Sequence, residues 1–369
     1  MRKHHPDNER VKRAYFSFLK EAKRQSEASV DAAAKAISRF ESYTGWRDFK
    51  TFRSEQATAF KSHLGKQPNE QTGKPLSKAT LNTTLRSLKA FFQWLALRPG
   101  YKSRINYTDT EYFNLSEKDV RVATARRERP VATLEQIHHV LELMPSKTPW
   151  ERRDRALVAF TLLTGARDSA IASLKIKHVD LDAGSIFQDA REVNTKASKT
   201  FTSFFFPVGG VARETVEIWI YYLRRDLLFG LDDPVFPKTE IQAGDDREFK
   251  PSGLSREHWS SAAPIRRVFR DAFALAELPY FNPQSFRNTL VTLGQSVCGS
   301  PEEFKAWSQN LGHSSVMTTL VSYGEVQTAR QGDILRELHG SKEEQHATQF
   351  RILAEAVARH LGNDEVSQR

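Results

Sequence analysis

Apolar residues between positions 8 and 64 recur at helical spacing, first through Val11, Tyr15, Phe18 and Leu19, then through Val30, Ala33, Ala34, Ile37 and Phe40. Residues 66–75 hold two prolines and a glycine and break that rhythm. Ser77 or Thr80 then stands where an N-cap belongs. Beyond it one face carries Leu81, Leu85, Leu88, Phe91, Phe92 and Leu95, and the other carries Lys78, Arg86 and Lys89. This predicts a strong amphipathic helix whose apolar stripe is core. Residues 97–130 are turn-rich and then highly charged, with Arg121, Arg126, Arg127 and Arg129 before Pro130. A linker over 119–130 follows from that composition.

Past the linker, Thr133-Leu134-Glu135-Gln136 has the form of a helix start, and residues 152–164 read as a buried helix through Leu157, Phe160 and Leu163. The period then changes. Val179-Asp180-Leu181, Ile186-Phe187 and Phe201 to Phe206 suggest a small antiparallel sheet, with Asp182 to Ser185 as one turn and Ala197-Ser198-Lys199 as another. Val216, Ile220, Leu223 and Leu227 mark a further helix. Residues 231–264, rich in Pro, Gly and Asp, read as loop. Helices resume over 265–278, 286–297 and 301–311, and residues 343–361 carry Phe350, Leu353, Ala354 and Val357 along one side. The expected fold is mainly α with a small antiparallel sheet. Its parts are a helical domain over 8–118, the linker, a second domain over 131–335 and a helical tail over 336–369.

Composition narrows the partner. With 369 residues two domains are the ordinary expectation. A net charge of +10 favours a polyanion, nucleic acid or an anionic membrane surface. The charge is lopsided: residues 1–130 hold 27 Lys+Arg against 14 Asp+Glu, whereas 131–369 hold 28 against 31. General phosphate contact therefore falls to the first part, and specialised chemistry to the second. Cys298 is the only cysteine, so neither an internal disulfide nor a cysteine-based zinc site can form. No signal-peptide core follows Met1 and no run is long enough to span a bilayer, which implies a cytoplasmic or nucleoid-associated protein with no membrane partner.

Five scattered groups can act on a phosphodiester. Its anionic oxygens repel nucleophiles and gain charge as a phosphorane forms, so fixed cations are needed, and the forked guanidinium suits them best. Arg167 follows a Thr164-Gly165 turn, and Arg287 follows the Pro283 break at the start of a helix. Lys196 lies at the predicted sheet turn. His313 sits in a Gly-His-Ser-Ser turn, and Tyr323 follows ten residues later. Each alone is commonplace; their order and spacing carry the signal.

That ordered set resembles the tyrosine recombinase (phage integrase) family. Leu163-Thr164-Gly165-Ala166-Arg167, with Leu174-Lys175 and Val179-Asp180-Leu181, is similar to its first signature box. The stretch from Asn282-Pro283-Gln284-Ser285-Phe286-Arg287 through Leu311-Gly312-His313-Ser314-Ser315 to Tyr323 is similar to its second. Ser77 to Leu95 resembles its helical core-binding domain, so the likeness covers about residues 8–330.

The resemblance implies a two-domain DNA clamp: a helical core-binding domain plus a catalytic domain that cuts and rejoins strands through a 3′-phosphotyrosyl bond. Arg167 and Arg287 would grip the non-bridging oxygens, and Lys196, with Lys199 as its competitor, would protonate the departing 5′ oxygen. His313 would hydrogen-bond the phosphate and Tyr323 would attack. Because the bond energy stays in the covalent intermediate, no ATP, metal or other cofactor is implied. The implied partners are double-stranded DNA and three further copies of the chain in a tetramer on DNA; accessory DNA-bending proteins are compatible with it. Lys78, Arg86 and Lys89 are candidate DNA contacts of the first domain.

Two positions depart from the family pattern. Gln284 stands where a histidine is usual; an amide can donate to a phosphate oxygen but cannot shuttle a proton. Ala170 stands where a glutamate is common, with Asp168 nearby. Slower chemistry is the expected consequence. Two alternatives stay open: a type IB topoisomerase that reseals the strand it cuts, and a catalytically weakened DNA-binding relative.

Overall fold

The computed structural model describes residues 4–69, 73–125, 130–243 and 248–313. The chain divides into two compact units, Met1–Arg127 and Glu128–Arg369. The first is all helical: α1 (Pro6–Ser17), α2 (Glu27–Thr44), α3 (Ser54–Lys66), α4 (Lys78–Ala96) and α5 (Glu117–Thr124). Ser77 caps α4 by accepting from the Thr80 N–H, and Leu81, Leu85, Leu88, Phe91, Phe92 and Leu95 are all buried. The core is a phenylalanine cluster. Phe92 stacks on Phe52 with centroids 4.0 Å apart, and Phe40 meets Phe60 and Phe92 edge-on at 5.2 Å. Truncating one of these rings to alanine removes about 3–5 kcal/mol.

The expected linker over 119–130 needs correction. Its first part lies in α5, which has no buried residue but is tied to α4 through a Lys78–Asp119 ion pair at 2.8 Å. Ser116 caps this helix, and none of its residues is buried, which is why composition alone read it as linker.

The second unit contains α6 (Leu134–Leu143), α7 (Pro149–Thr164), the single turn α8 (Asp168–Ile171), α9 (Gly210–Tyr221), α10 (Ala263–Leu275), α11 (Phe286–Val297) and α12 (Pro301–Asn310). Thr133 with Gln136, and Thr148 with Glu151, form capping boxes that start α6 and α7. Helix α7 is buried nearly all round and forms the spine of this core. Strands β1 (Val179–Asp180), β2 (Ser185–Gln188) and β3 (Phe201–Phe204) make the expected antiparallel sheet, with Ile186 opposite Ser203.

The loop expected over 231–264 is also corrected. It contains a second antiparallel pair, β4 (Pro237–Ala243) with β5 (Phe249–His258). Only the base of this hairpin, with Pro237 and Leu254, packs on the core; the rest is exposed and needs no alternating apolar face, and Pro237, Pro251 and Gly253 disguise it further. Two irregularities in its register accommodate those residues. Among the described residues no helix is long and apolar enough to cross a membrane. The tail expected over 336–369 lies outside the described residues.

Candidate active site

Arg287 is the centre of the site. It lies in the first turn of α11 and is 4% exposed. Its guanidinium donates through Nη1 to the Gly165 carbonyl and through Nη2 to the Leu311 carbonyl. Nη2 also lies 3.0 Å from His313 Nε2. Because a guanidinium has only donors, Nε2 must accept, which assigns a neutral imidazole with its proton on Nδ1. Nε of Arg287 is buried without a hydrogen-bond acceptor. One side chain thus joins the Thr-Gly turn after α7 to the Leu-Gly-His turn after α12.

Both glycines are dictated by this arrangement. Gly165 has φ +60°, and a Cβ there would lie 2.9 Å from side-chain carbons of Leu290 and Leu311. Gly312 has φ +71°, and a Cβ would lie 2.6 Å from the Phe201 ring. No other residue gives that backbone and that closeness together. Asn310 fixes the end of α12 against the sheet. Its Nδ2 donates to the Phe204 carbonyl at 2.8 Å and its Oδ1 accepts the Phe204 N–H at 2.6 Å. Ser203 Oγ donates to the Asn310 carbonyl at 3.0 Å. The side chain takes the place of a neighbouring strand along the free edge of β3.

Arg167 is half-buried at the residue before α8; its carbonyl accepts the Ile171 N–H, while its side chain has no hydrogen bond or ion pair among the described residues. Burial alone lowers its pKa. Lys196 and Lys199 are exposed on the turn between β2 and β3, where Ala197 and Ser198 take left-handed φ values of 58° and 50°.

The electrostatics join these groups. Burial first, then the charge of Arg167, bring the Arg287 pKa down to about 9, so it remains a cation at neutral pH. Burial lowers His313 to about 4, helped by the positive charges of Arg287, Arg167, Lys196 and Lys199 in that order. No carboxylate is among these principal influences. A field of one sign around a hydrogen-bonding imidazole is the environment an anion would neutralise.

The structure therefore brings together Arg167, Arg287, His313 and the lysine-bearing turn. Gln284 is exposed on the 3₁₀ turn Pro283–Ser285, and no contact ties it to the cluster among the described residues. Tyr323 lies outside the described residues. Ala170 is buried, and Asp168 is committed to Arg266, whose Nε and Nη2 lie 3.0 and 2.8 Å from Oδ2. Arg266 and Asn310 were not singled out by sequence. Asn310 was detectable as a polar residue interrupting the apolar side of a helix end. In the first unit, Lys78 pairs with Asp119 and Lys89 Nζ lies 2.6 Å from Glu111, while Arg86 is exposed with no partner among the described residues. His5, Asp7 and Asp48 are the one metal-spaced cluster among the described residues; Lys50 already occupies Asp7 at 3.2 Å.

No protein-family model matches the chain. It is similar to the tyrosine recombinase XerC of Bacillus licheniformis, 26% identical over 220 residues, which is 60% of this chain. The match spans 65% of that relative's length, just under two thirds. The XerC of Natranaerobius thermophilus is 22% identical over 88% of this chain and 97% of its own. Among solved structures, the XerH site-specific recombinase bound to a palindromic difH substrate, a post-cleavage complex, shares the fold. Its TM-score is 0.57 at 16% identity, over 86% of this chain and 82% of that one.

Proposed function

We propose that the chain, which is similar to tyrosine recombinases, is itself a tyrosine recombinase and acts as a site-specific DNA recombinase. Its substrate is double-stranded DNA, and its nucleophile is the Tyr323 phenol. What carries the proposal is the buried Arg287 guanidinium, shared between two turns and the His313 imidazole, with Arg167 and Lys196 adding charge of the same sign and no carboxylate bonded to them among the described residues.

A backbone phosphate enters beside Arg287 and Arg167, whose guanidiniums take its non-bridging oxygens. The entering negative charge turns a destabilising cluster of cations into a compensated one. Charge accumulates on those oxygens as the pentavalent state forms, so the interaction strengthens at that point and lowers the barrier. His313 supplies a further hydrogen bond; with Nδ1 protonated it can donate from that atom while Nε2 stays with Arg287.

Tyr323 Oη forms the new bond to phosphorus, and the bond from phosphorus to O5′ breaks. The phenolic proton is lost to surrounding water, while the Lys196 ammonium gives its proton to O5′. Lys196 is preferred over Lys199 because Thr195-Lys196 before a turn of small residues fits the family pattern better. The products are a 3′-phosphotyrosyl bond and a free 5′-hydroxyl. A 5′-hydroxyl from a partner strand reverses the steps and reseals the chain. Exchange of four strands calls for four protomers, two per duplex. Gln284 acts as a donor to phosphate and takes no part in proton transfer.

A duplex nicked close to the cleavage point tests this, because the short released fragment cannot religate. The wild-type chain should accumulate a denaturant-resistant protein–DNA adduct, and Tyr323→Phe should yield none. Absence of the adduct in the first case, or its persistence in the second, removes the assignment.

A further inference from the structure

Lys196 stands on a loop with few moorings. On the far side, the first is the Ala190 N–H donating to Thr200 Oγ1 at 3.0 Å. On the near side, the last tie to another element before Lys196 is at Asn194, whose main-chain polar groups are both held by serines. Past it, among the described residues, come only the local bonds of the Thr195 N–H to the Val193 carbonyl and the Ser198 N–H to the Thr195 carbonyl. Ser173 Oγ accepts the Asn194 N–H at 2.8 Å and passes its own hydrogen to the Ala170 carbonyl at 3.0 Å. Ser169 Oγ donates to the Asn194 carbonyl at 3.2 Å. One serine is on α8 and the other two residues past its end.

The spacing gives this grip a consequence. Arg167 precedes Ser169 by two residues, and Asn194 precedes Lys196 by two. Two hydroxyls therefore bridge the segment that carries a phosphate-gripping arginine to the loop that carries the leaving-group acid. Beyond Asn194 the backbone turns through two left-handed residues, Ala197 and Ser198, and the Lys196 side chain has no hydrogen bond or ion pair among the described residues. Its placement is thus inherited from the serines. The side chain of Ala170, a buried methyl between them, adds no polar restraint; only its carbonyl takes part, by accepting from Ser173.

We propose that Ser169 and Ser173 are positioning residues that set the reach of Lys196 toward the departing 5′ oxygen relative to Arg167. This rests on the recombinase reading above. The role is distinct from holding the loop folded, since Val193 is buried in the core and Glu192 Oε1 and Oε2 each lie 2.9 Å from Lys177 Nζ and His178 Nε2, respectively.

Single-turnover cleavage of two duplexes by the full chain tests it. One duplex has the ordinary scissile phosphate; the other has sulfur in place of its bridging O5′. A thiolate departs without a proton, so the second substrate does not need the lysine. The double variant Ser169→Ala/Ser173→Ala should cleave the oxygen substrate about tenfold to a hundredfold more slowly and the sulfur substrate at the wild-type rate. Ser173→Thr in the single-site series, which keeps the hydroxyl, should retain most of the oxygen rate that Ser173→Ala loses. An unchanged oxygen rate, or equal slowing on both substrates, overturns the proposal. Failure of the wild type on both substrates would instead sink the recombinase reading beneath it.

Discussion

Lys89 in the first unit ends 2.6 Å from Glu111, and Lys78 ends 2.8 Å from Asp119. Arg287 in the second unit is surrounded by two carbonyls and a neutral imidazole, with Arg167 close enough to depress its pKa. The first pattern is what a solvated surface does with part of its charge: these two cations each find a carboxylate, and such pairs contribute little to stability. The second runs against folding. A buried guanidinium without a counter-charge is unfavourable unless something supplies one. The first unit carries more net positive charge, yet the stronger indication of an anion comes from the second. Net charge locates affinity, and uncompensated buried charge locates chemistry.

The hardest way to break this comparison is to replace Arg287. Arg287→Lys keeps the charge but cannot reach two carbonyls and the imidazole at once. Adduct formation should fall about a hundredfold to a thousandfold, as for loss of a preorganised donor. Cleavage near the wild-type rate would show that charge alone suffices and that the forked geometry is incidental.

Gly165→Ala probes the frame around that arginine. The new methyl meets Leu290 and Leu311 at 2.9 Å and forces a left-handed backbone on alanine. Overpacking and backbone strain together should remove about 2–4 kcal/mol, read as a lower denaturant midpoint. A wild-type midpoint would mean the turn can relax without disturbing the core.

His313 offers a milder test. Its pKa falls from the ordinary 6.5 to about 4 in the folded chain, so the unfolded state binds more protons between those values. The stabilisation from keeping the imidazole neutral is complete above pH 6.5 and is lost as the pH falls through 4. Discounted for partial exposure, about 1–2 kcal/mol should disappear over that window. Comparing the pH dependence of unfolding in wild type and His313→Asn isolates it from the carboxylates. Bound duplex should narrow the difference by drawing the imidazole pKa upward; identical profiles would place His313 outside the cationic field.

Sequence reached the site better than its surroundings, for a physical reason. Gly165 and Gly312 occupy backbone conformations that suit almost nothing else, so the motifs around Arg167 and His313 are fixed by covalent geometry and can be read locally. The α4 stripe was equally legible, because a face that enters the core must repeat every three or four residues. The β4–β5 hairpin was not, since the exposed greater part of it leaves no apolar alternation to read. Helix α5 was hidden for a related reason: none of its residues is buried. Asn310, Ser169 and Ser173 lay within reach by type but not by role: their partners, Phe204 and Asn194, are distant in sequence, and only the fold brings them together.

The smallest effects belong to the first unit, where the three cations of α4 are not equivalent. Arg86 is exposed with no partner among the described residues, so a contact with a DNA phosphate, as proposed, would displace only ions and water. Arg86→Ala should weaken duplex binding and reduce the salt slope by about one. Lys89 must leave Glu111, and the stranded carboxylate then faces the same phosphates. An exposed glutamate is ionised at neutral pH even without Lys89, so the stranded carboxylate would repel them. Lys89→Ala should therefore lower affinity more than Glu111→Gln raises it, with Arg86→Ala giving the larger change in salt slope. Equal slopes for Arg86→Ala and Lys89→Ala would mean that the internal pairing is given up freely on contact with DNA. In that case the two units would use their cations in the same way.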